Sequence, residues 1–177
     1  TRLTCDWSSD VCSSDLITNK GRYILLDTKK YSNKSLDIPM APSDTVVNYV
    51  DFLNRNKEEW GLARHTFVDS ADQATQTEFA KYKRKHPECI YVFNDAYKSI
   101  SNIDRIILQL GWMSYDDEYG KEPCFFILEN CTEYIEELEL YSWQEDKDNT
   151  PEDGHDHFIQ SGQYGWIPYR DKIMRKG

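Results

Sequence analysis

Short apolar runs alternate with stretches of helical periodicity along most of the chain. The runs that predict β-strands are rich in β-branched and aromatic side chains and lie at residues 22–27, 65–69, 89–93 and 124–128. Apolar positions at helical spacing predict helices at residues 43–61, 75–86, 101–111, 130–141 and 157–168. Strands that alternate with helices are typical of an α/β domain, with a mainly parallel sheet covered by helices.

A β-hairpin precedes this alternation. Asn19-Lys20-Gly21 is a tight-turn signal between the apolar residues 16–18 and the strand at 22–27, which continues to Tyr31. The hairpin makes the predicted sheet mixed, with antiparallel strands at its start. We expect its first arm to be mostly lost from this sequence, for the reason given next.

Residues 1–16 differ from the rest of the chain. Residues 6–16 read DWSSDVCSSDL, which has no amphipathic period and no capping signal. The phrase matches the translation of a common sequencing adapter. We therefore expect residues 1–16 to be artefactual or disordered, and residues 17–177 to be one partial domain whose first strand is missing or replaced. A genuine disordered N-terminus is the alternative, and the natural protein is expected to begin further upstream.

Capping signals set the predicted helix ends. Ser43 is expected to cap the first helix and Gly61 to stop it. Gly111 is expected to stop the third helix. The remaining start signals are capping boxes at 75–78 and 130–133 and an N-cap at Ser101.

Composition narrows the class of protein. The 177 residues carry a formal net charge of −10, and no apolar run approaches the ~20 residues that a membrane span needs. Cys89, Cys124 and Cys131 are the cysteines outside the excluded segment, and they are expected to be reduced and mainly buried. The chain has no phosphate-binding loop of the ATPase type, no serine-hydrolase elbow and no zinc-site spacing. These patterns favour a cytoplasmic protein that does not use ATP in this part of its chain.

Carboxylates carry the candidate chemistry. Asp69 and Asp72 follow the strand at 65–69, while Asp153, Asp156 and His157 lie at the start of the last helix. Acids that converge from distant parts of a chain suit hard divalent cations such as Mg²⁺ or Mn²⁺. Two such ions about 4 Å apart can cleave phosphodiesters. The alternative is that Asp153 and Asp156 merely cap the last helix.

A basic patch on the second helix is a separate candidate for nucleic-acid contact. Its members are Lys81, Lys83, Arg84 and Lys85. A solvated helix face is the alternative interpretation. The negative net charge does not favour DNA binding, so such binding would need a local basic patch or bound metal ions.

Several segments together resemble the C-terminal nuclease domain of tailed-phage terminase large subunits. They are Val68-Asp-Ser-Ala-Asp-Gln73, Ala96-Tyr-Lys98, residues 131–143 (CTEYIEELELYSW), residues 151–157 (PEDGHDH) and Tyr164. The resemblance covers roughly residues 21–169. It implies a ribonuclease H-like fold and a metal-dependent endonuclease that uses Mg²⁺ or Mn²⁺ to cut concatemeric double-stranded DNA during packaging in the host cytoplasm. It also implies the portal protein and the small terminase subunit as partners, and an ATPase motor in the full-length protein.

The resemblance assigns roles to particular residues. Asp69 matches the second catalytic acid, and Asp156-His157 matches the Asp-His pair that precedes the third. Gln160 occupies the third acid's position in the family's D-A-x-R-Y segment, so either Asp153 or Asp156 is expected to replace that acid, or the site is expected to bind metal weakly. Lys98 is expected to orient a phosphate, and an ordinary surface lysine is the alternative.

The predicted metal ligands are therefore Asp69, Asp153, Asp156 and Gln160. Asp27 is a further candidate oxygen donor. The family's first catalytic acid lies upstream of the hairpin. The acids of the adapter-like segment should not be assigned that role. We therefore expect little cleavage by this chain. The alternatives are a catalytically dead docking domain that binds the portal or small terminase, and an acidic DNA mimic.

Overall fold

Six strands form one mixed sheet. The computed structural model describes residues 2–6 (backbone), 11–31, 40–69, 73–96, 99–115, 118, 120–144, 151 and 156–173. The strands are β1 (Arg2–Asp6), β2 (Val11–Ile17), β3 (Tyr23–Lys30), β4 (His65–Val68), β5 (Phe93–Asp95) and β6 (Phe125–Ile127). Their order across the sheet is β5-β4-β1-β2-β3-β6.

Strand direction places most strand ends at one edge of the sheet. β2 is antiparallel to both β1 and β3, while β4, β5 and β6 each pair in parallel with a neighbour. All strands except β2 therefore point the same way. Their carboxyl ends share the edge at which open α/β sheets place ligands. The predicted mixed α/β architecture with flanking helices is confirmed.

The helices cover both faces of this sheet. They are α1 (Pro42–Trp60), α2 (Gln73–Lys85), α3 (Asn102–Met113), α4 (Thr132–Leu140) and α5 (His157–Trp166), followed by a 3-10 helix (Ile167–Lys172). Neighbouring residues of β2 point to opposite faces: Cys12 packs with α1 and α2, and Val11 packs with α4 and α5. Among the described residues, no helix is long and apolar enough to cross a membrane.

A close approach fixes α4 against α5. A Cβ atom built on Gly162 would lie 3.0 Å from Cε2 of Tyr134. The fully buried Tyr134 therefore packs against bare backbone, and its hydroxyl accepts a hydrogen bond from Nε2 of Gln109 at 3.0 Å. This contact determines which α4 side chains reach the start of α5.

The expectation that residues 1–16 stand outside the fold is corrected by the structure. β1 and β2 occupy the centre of the sheet, between β4 and β3. Backbone pairing needs no amphipathic period, and small side chains fit beneath a helix: Ser13 is fully buried, with its Oγ 3.0 Å from Oγ of Ser161 on α5. The first strand is thus present. The adapter origin of the sequence stays a prediction.

The predicted strand at residues 89–93 is also corrected. In the structure, β5 begins only at Phe93. A turn in which the Cys89 N–H donates to the His86 carbonyl precedes it, and Lys83 Nζ donates to the Tyr91 carbonyl. These bonds use backbone groups that a strand would need.

Several helices begin or end at other residues than predicted. Helix α1 follows Ala41 instead of Ser43, with Asp44 accepting the Ala41 N–H at 2.9 Å. Helix α2 starts two residues before Thr75, and α4 follows Cys131. Helix α3 continues past Gly111 to Met113. The N-cap at Ser101, the turn at Gly21 and the start of α5 at His157 are confirmed.

Candidate functional site

The candidate site lies where the end of β4 meets α5. Asp69 directly follows Val68, the last residue of β4, and is only 5% exposed. Successive strand residues alternate faces, so Asp69 shares the α5 face with Phe67, whose ring contacts Tyr169 in the 3-10 helix after α5. The sequence signal of an acid at a parallel strand end therefore located this residue correctly.

A tyrosine connects Asp69 to α5. The hydroxyl oxygen of Tyr164, itself 2% exposed, lies 3.4 Å from Oδ2 of Asp69 and 3.5 Å from Oε1 of Gln160. The hydroxyl has a single proton, so it donates to one of these oxygens at a time. Tyr164 and Gln160 are four residues apart and thus share one face of α5.

The first turn of α5 continues this network. Gln160 donates a hydrogen bond through Nε2 to Oδ2 of Asp156, whose side chain is 14% exposed. The other carboxylate oxygen of Asp156 lies 3.9 Å from Nδ1 of His157. Two intervening side chains, Tyr164 and Gln160, thus join the carboxylates of Asp69 and Asp156.

Asp156 does not cap α5 with its side chain. It is the N-cap residue by position, yet it makes no side-chain capping bond. Oε2 of Glu137, on α4, instead accepts the N–H groups of Phe158 at 2.7 Å and Ile159 at 3.3 Å. The interpretation that Asp156 serves only as a cap is therefore wrong, because another acid satisfies these amides.

Several neighbouring groups affect the pKa of Glu137. Burial raises the pKa of Glu137, and the negative charge of Asp156 adds to that rise. The two backbone N–H bonds and the nearby His157 act in the opposite direction. Asp156 is thus close enough for its charge to raise the pKa of Glu137.

A cation on α3 faces the second turn of α5. Nη1 of Arg105 donates to Oε1 of Gln163 at 3.3 Å. Burial lowers the pKa of Arg105, while nearby Tyr164, Tyr141 and Asp156 favour its charged form. The cluster therefore contains both acids and a guanidinium, which is a good phosphate ligand.

Sequence reasoning did not find Glu137 or Arg105. Both lie on predicted helices, but their approach to α5 depends on how α3 and α4 pack, and no local pattern shows that. The 131–143 block contains Glu137, so a search for acids near the block would have included it without singling it out.

Other predicted residues stand apart from the cluster. Asp27 accepts hydrogen bonds from Nη2 of Arg55 at 2.6 Å and Nδ2 of Asn56 at 2.9 Å, both on α1. The structure thus places it against the opposite face of the sheet, which corrects its suggestion as a further ligand. Asp72, Lys98 and Asp153 lie outside the described residues.

Part of the basic patch already contacts acceptor groups on this chain. Nζ of Lys81 lies 2.6 Å from Oε1 of Glu78, and Nζ of Lys83 lies 2.8 Å from the Tyr91 carbonyl oxygen. Two of its four members thus have neighbouring acceptors on this chain. The free thiols predicted at Cys89, Cys124 and Cys131 are confirmed.

The oxygen donors of the cluster suit a hard cation. The carboxylates of Asp69 and Asp156 and the amide oxygen of Gln160 are the ligand types that Mg²⁺ and Mn²⁺ prefer. Within the part of the chain that the structure describes, no group of three or more His, Cys, Asp or Glu is placed to hold a metal ion. Comparisons with protein families, curated proteins and solved structures return no match for this chain.

Proposed function

We propose that this chain is a ribonuclease H-like nuclease domain of a phage packaging terminase, acting on concatemeric double-stranded DNA with Mg²⁺ or Mn²⁺. One observation carries the proposal: Asp156 sits at the N-cap of α5 but directs its carboxylate to Gln160, which Tyr164 connects to Asp69. A purely structural acid at that position would bond the helix amides instead.

The fold gives additional support. A mixed sheet that opens with antiparallel strands and continues with parallel strands and covering helices is the architecture that the terminase resemblance implies. Asp69 lies at the ligand-binding edge of that sheet. The portal protein, the small terminase subunit and a host-cytoplasmic location follow from the same resemblance and belong to the proposal.

The chain's own residues have distinct tasks in this proposal. Asp69 and Asp156 supply negative oxygen ligands, and Gln160 supplies a neutral one. A divalent cation bound there would supply an activated water and offset charge on the scissile phosphate. The Tyr164 hydroxyl orients the Asp69 carboxylate, and His157 and Lys98 act on the phosphate or its leaving oxygen.

Plasmid cleavage in Mn²⁺ tests the proposal, using a chain in which the corresponding segment of a terminase nuclease domain replaces residues 1–16 and supplies both a strand parallel to β4 and a reversed strand next to β3. We expect Asp69→Ala and Asp156→Ala to abolish nicking. Asp27→Ala, which removes a carboxylate from the opposite face, should leave nicking intact. Cleavage that survives Asp69→Ala, or that is lost equally in Asp27→Ala, would contradict the assignment.

A catalytically dead docking domain is the second candidate. It is favoured by Gln160 at the expected acid position and by the charge of Arg105 near Asp156, which offsets part of the cluster's negative charge without a metal. This reading predicts no nicking by the restored chain and retained binding to the portal protein or small terminase. Binding to these partners without any nuclease activity would therefore favour it over the first.

A further inference from the structure

Two carboxylates compete for the N-terminus of α5. The first N–H groups of a helix have no partner within the helix, and an Asp at the N-cap position is among the best acceptors for them. Asp156 holds that position, yet the amides of Phe158 and Ile159 bond to Glu137 on the neighbouring helix. The usual acceptor has been displaced by a residue 19 positions earlier in the chain.

Using Glu137 as the acceptor costs free energy, and the need to cap α5 does not explain why that cost is accepted. The Glu137 carboxylate is partly withdrawn from water and lies near the like charge of Asp156. Asp156 could satisfy the same amides without a second carboxylate at this end of the helix. With Glu137 in place, the Asp156 carboxylate instead meets Nε2 of Gln160 and approaches His157.

We infer that Glu137 is a positioning residue: by occupying the N-terminus of α5, it holds the Asp156 carboxylate in the cluster that contains Gln160, Tyr164 and Asp69. The role of Asp156 as a cation ligand rests on the proposed function, whereas the displacement of its carboxylate does not. Without Glu137, Asp156 turns back to cap its own helix and leaves the cluster.

Amide hydrogen exchange tests the displacement without any metal. We expect Asp156→Ala alone to leave exchange at Phe158 and Ile159 unchanged. Glu137→Ala should accelerate it modestly, because Asp156 then takes over. In Glu137→Ala/Asp156→Ala, exchange should be faster again by about fivefold, the factor that corresponds to the ~1 kcal/mol of one helix cap. Faster exchange in Asp156→Ala alone, or no change in the double variant, would overturn the inference.

Mn²⁺ affinity, measured by calorimetry on the same chain, tests the consequence. Residues that orient metal ligands typically contribute about 10–100-fold to affinity, so Glu137→Ala should weaken binding about tenfold or more. Glu137→Gln keeps an acceptor oxygen and should retain most of the affinity. Glu136→Ala, which removes an exposed acid next to it, is the matched control.

The two assays distinguish a failure of the proposed nuclease function from a failure of the positioning role of Glu137. Absence of Mn²⁺ binding by the unmodified chain would count against the proposed nuclease, while the exchange pattern would still decide the positioning role. Undiminished Mn²⁺ affinity in Glu137→Ala would overturn the positioning role even if the chain binds the cation.

Discussion

Replacing Gln160 by a carboxylate should convert an attractive contact into a repulsive one. Nε2 of Gln160 now donates to Asp156, and Gln160→Glu has nearly the same shape but no donor. Two unit charges 4 Å apart repel by about 4 kcal/mol at the effective dielectric of a partly buried site. The Asp156 side chain keeps 14% exposure, so we expect a loss of roughly 2–4 kcal/mol in the free energy of unfolding without metal.

The stability that Gln160→Glu loses should depend on divalent cations and on pH. A chain of this size loses roughly 2–4 °C in Tm per kcal/mol, so Gln160→Glu should melt roughly 4–16 °C below the parent at pH 8 in EDTA. Mn²⁺ should reverse most of that difference, because a divalent ion between the carboxylates replaces repulsion with attraction. The like charge raises the pKa of the introduced carboxyl, so the loss should also shrink as pH falls through that raised value.

A second variant on the same helix makes this test specific. Gln163→Glu introduces the same charge, but beside Nη1 of Arg105, which already donates to Gln163. We expect its Tm to equal or exceed that of the parent in EDTA. Calorimetric melting of both variants, with and without Mn²⁺, is the assay. Equal shifts in the two variants, or a Gln160→Glu shift that Mn²⁺ leaves unchanged, would refute the reasoning.

Three further predictions concern packing and titration. Gly162→Ala should lower the free energy of unfolding by about 1–3 kcal/mol, because its Cβ would lie 3.0 Å from a buried tyrosine ring. Gly111→Ala is the control: its Cβ would have nothing within 4 Å, so it should raise the free energy of unfolding in urea by about 0.5–1 kcal/mol. The raised pKa of Glu137 means that its stabilisation is present below the ordinary Glu pKa and lost as pH rises through the raised value. The unfolding free energy of the parent relative to Glu137→Gln should therefore fall as pH rises from the ordinary Glu pKa through the raised one. Burial raises the pKa of the Cys131 thiol to about 12. Alkylation at pH 8, followed by mass spectrometry, should therefore modify the half-buried Cys89 before Cys131. Equal labelling of the two cysteines would contradict this.

Local signals predicted the parts of the fold that depend on neighbouring residues. The hairpin turn needs a residue with positive φ, and Gly21 adopts φ 75°. The start of α5 at His157 follows from an acid before a run with helical periodicity. The meeting of Asp69 with α5 was predictable for a more general reason, since ligands gather at the carboxyl edge of parallel strands.

Tertiary packing decides what the sequence could not show. The bond from Glu137 to α5 exists because Tyr134 packs against Gly162 and brings α4 close. Most of the central strand β2 was missed because residues 1–16 were set aside as adapter-like. Residues 11–15 are also buried on both faces, so polar and apolar positions do not alternate there to signal a strand. Its serines fit because a helix lies directly above them, as the Ser13–Ser161 contact shows.

The central place of β1 and β2 has a consequence for any version of this protein. Without residues 1–17, β4 and β5 would form one short sheet and β3 and β6 another, each with an open row of backbone donors and acceptors. Such rows recruit strands from other chains, so a truncated form should aggregate. A different natural sequence can stand in this segment only if it supplies one strand that pairs in parallel with β4 and a second, reversed strand that closes the gap to β3.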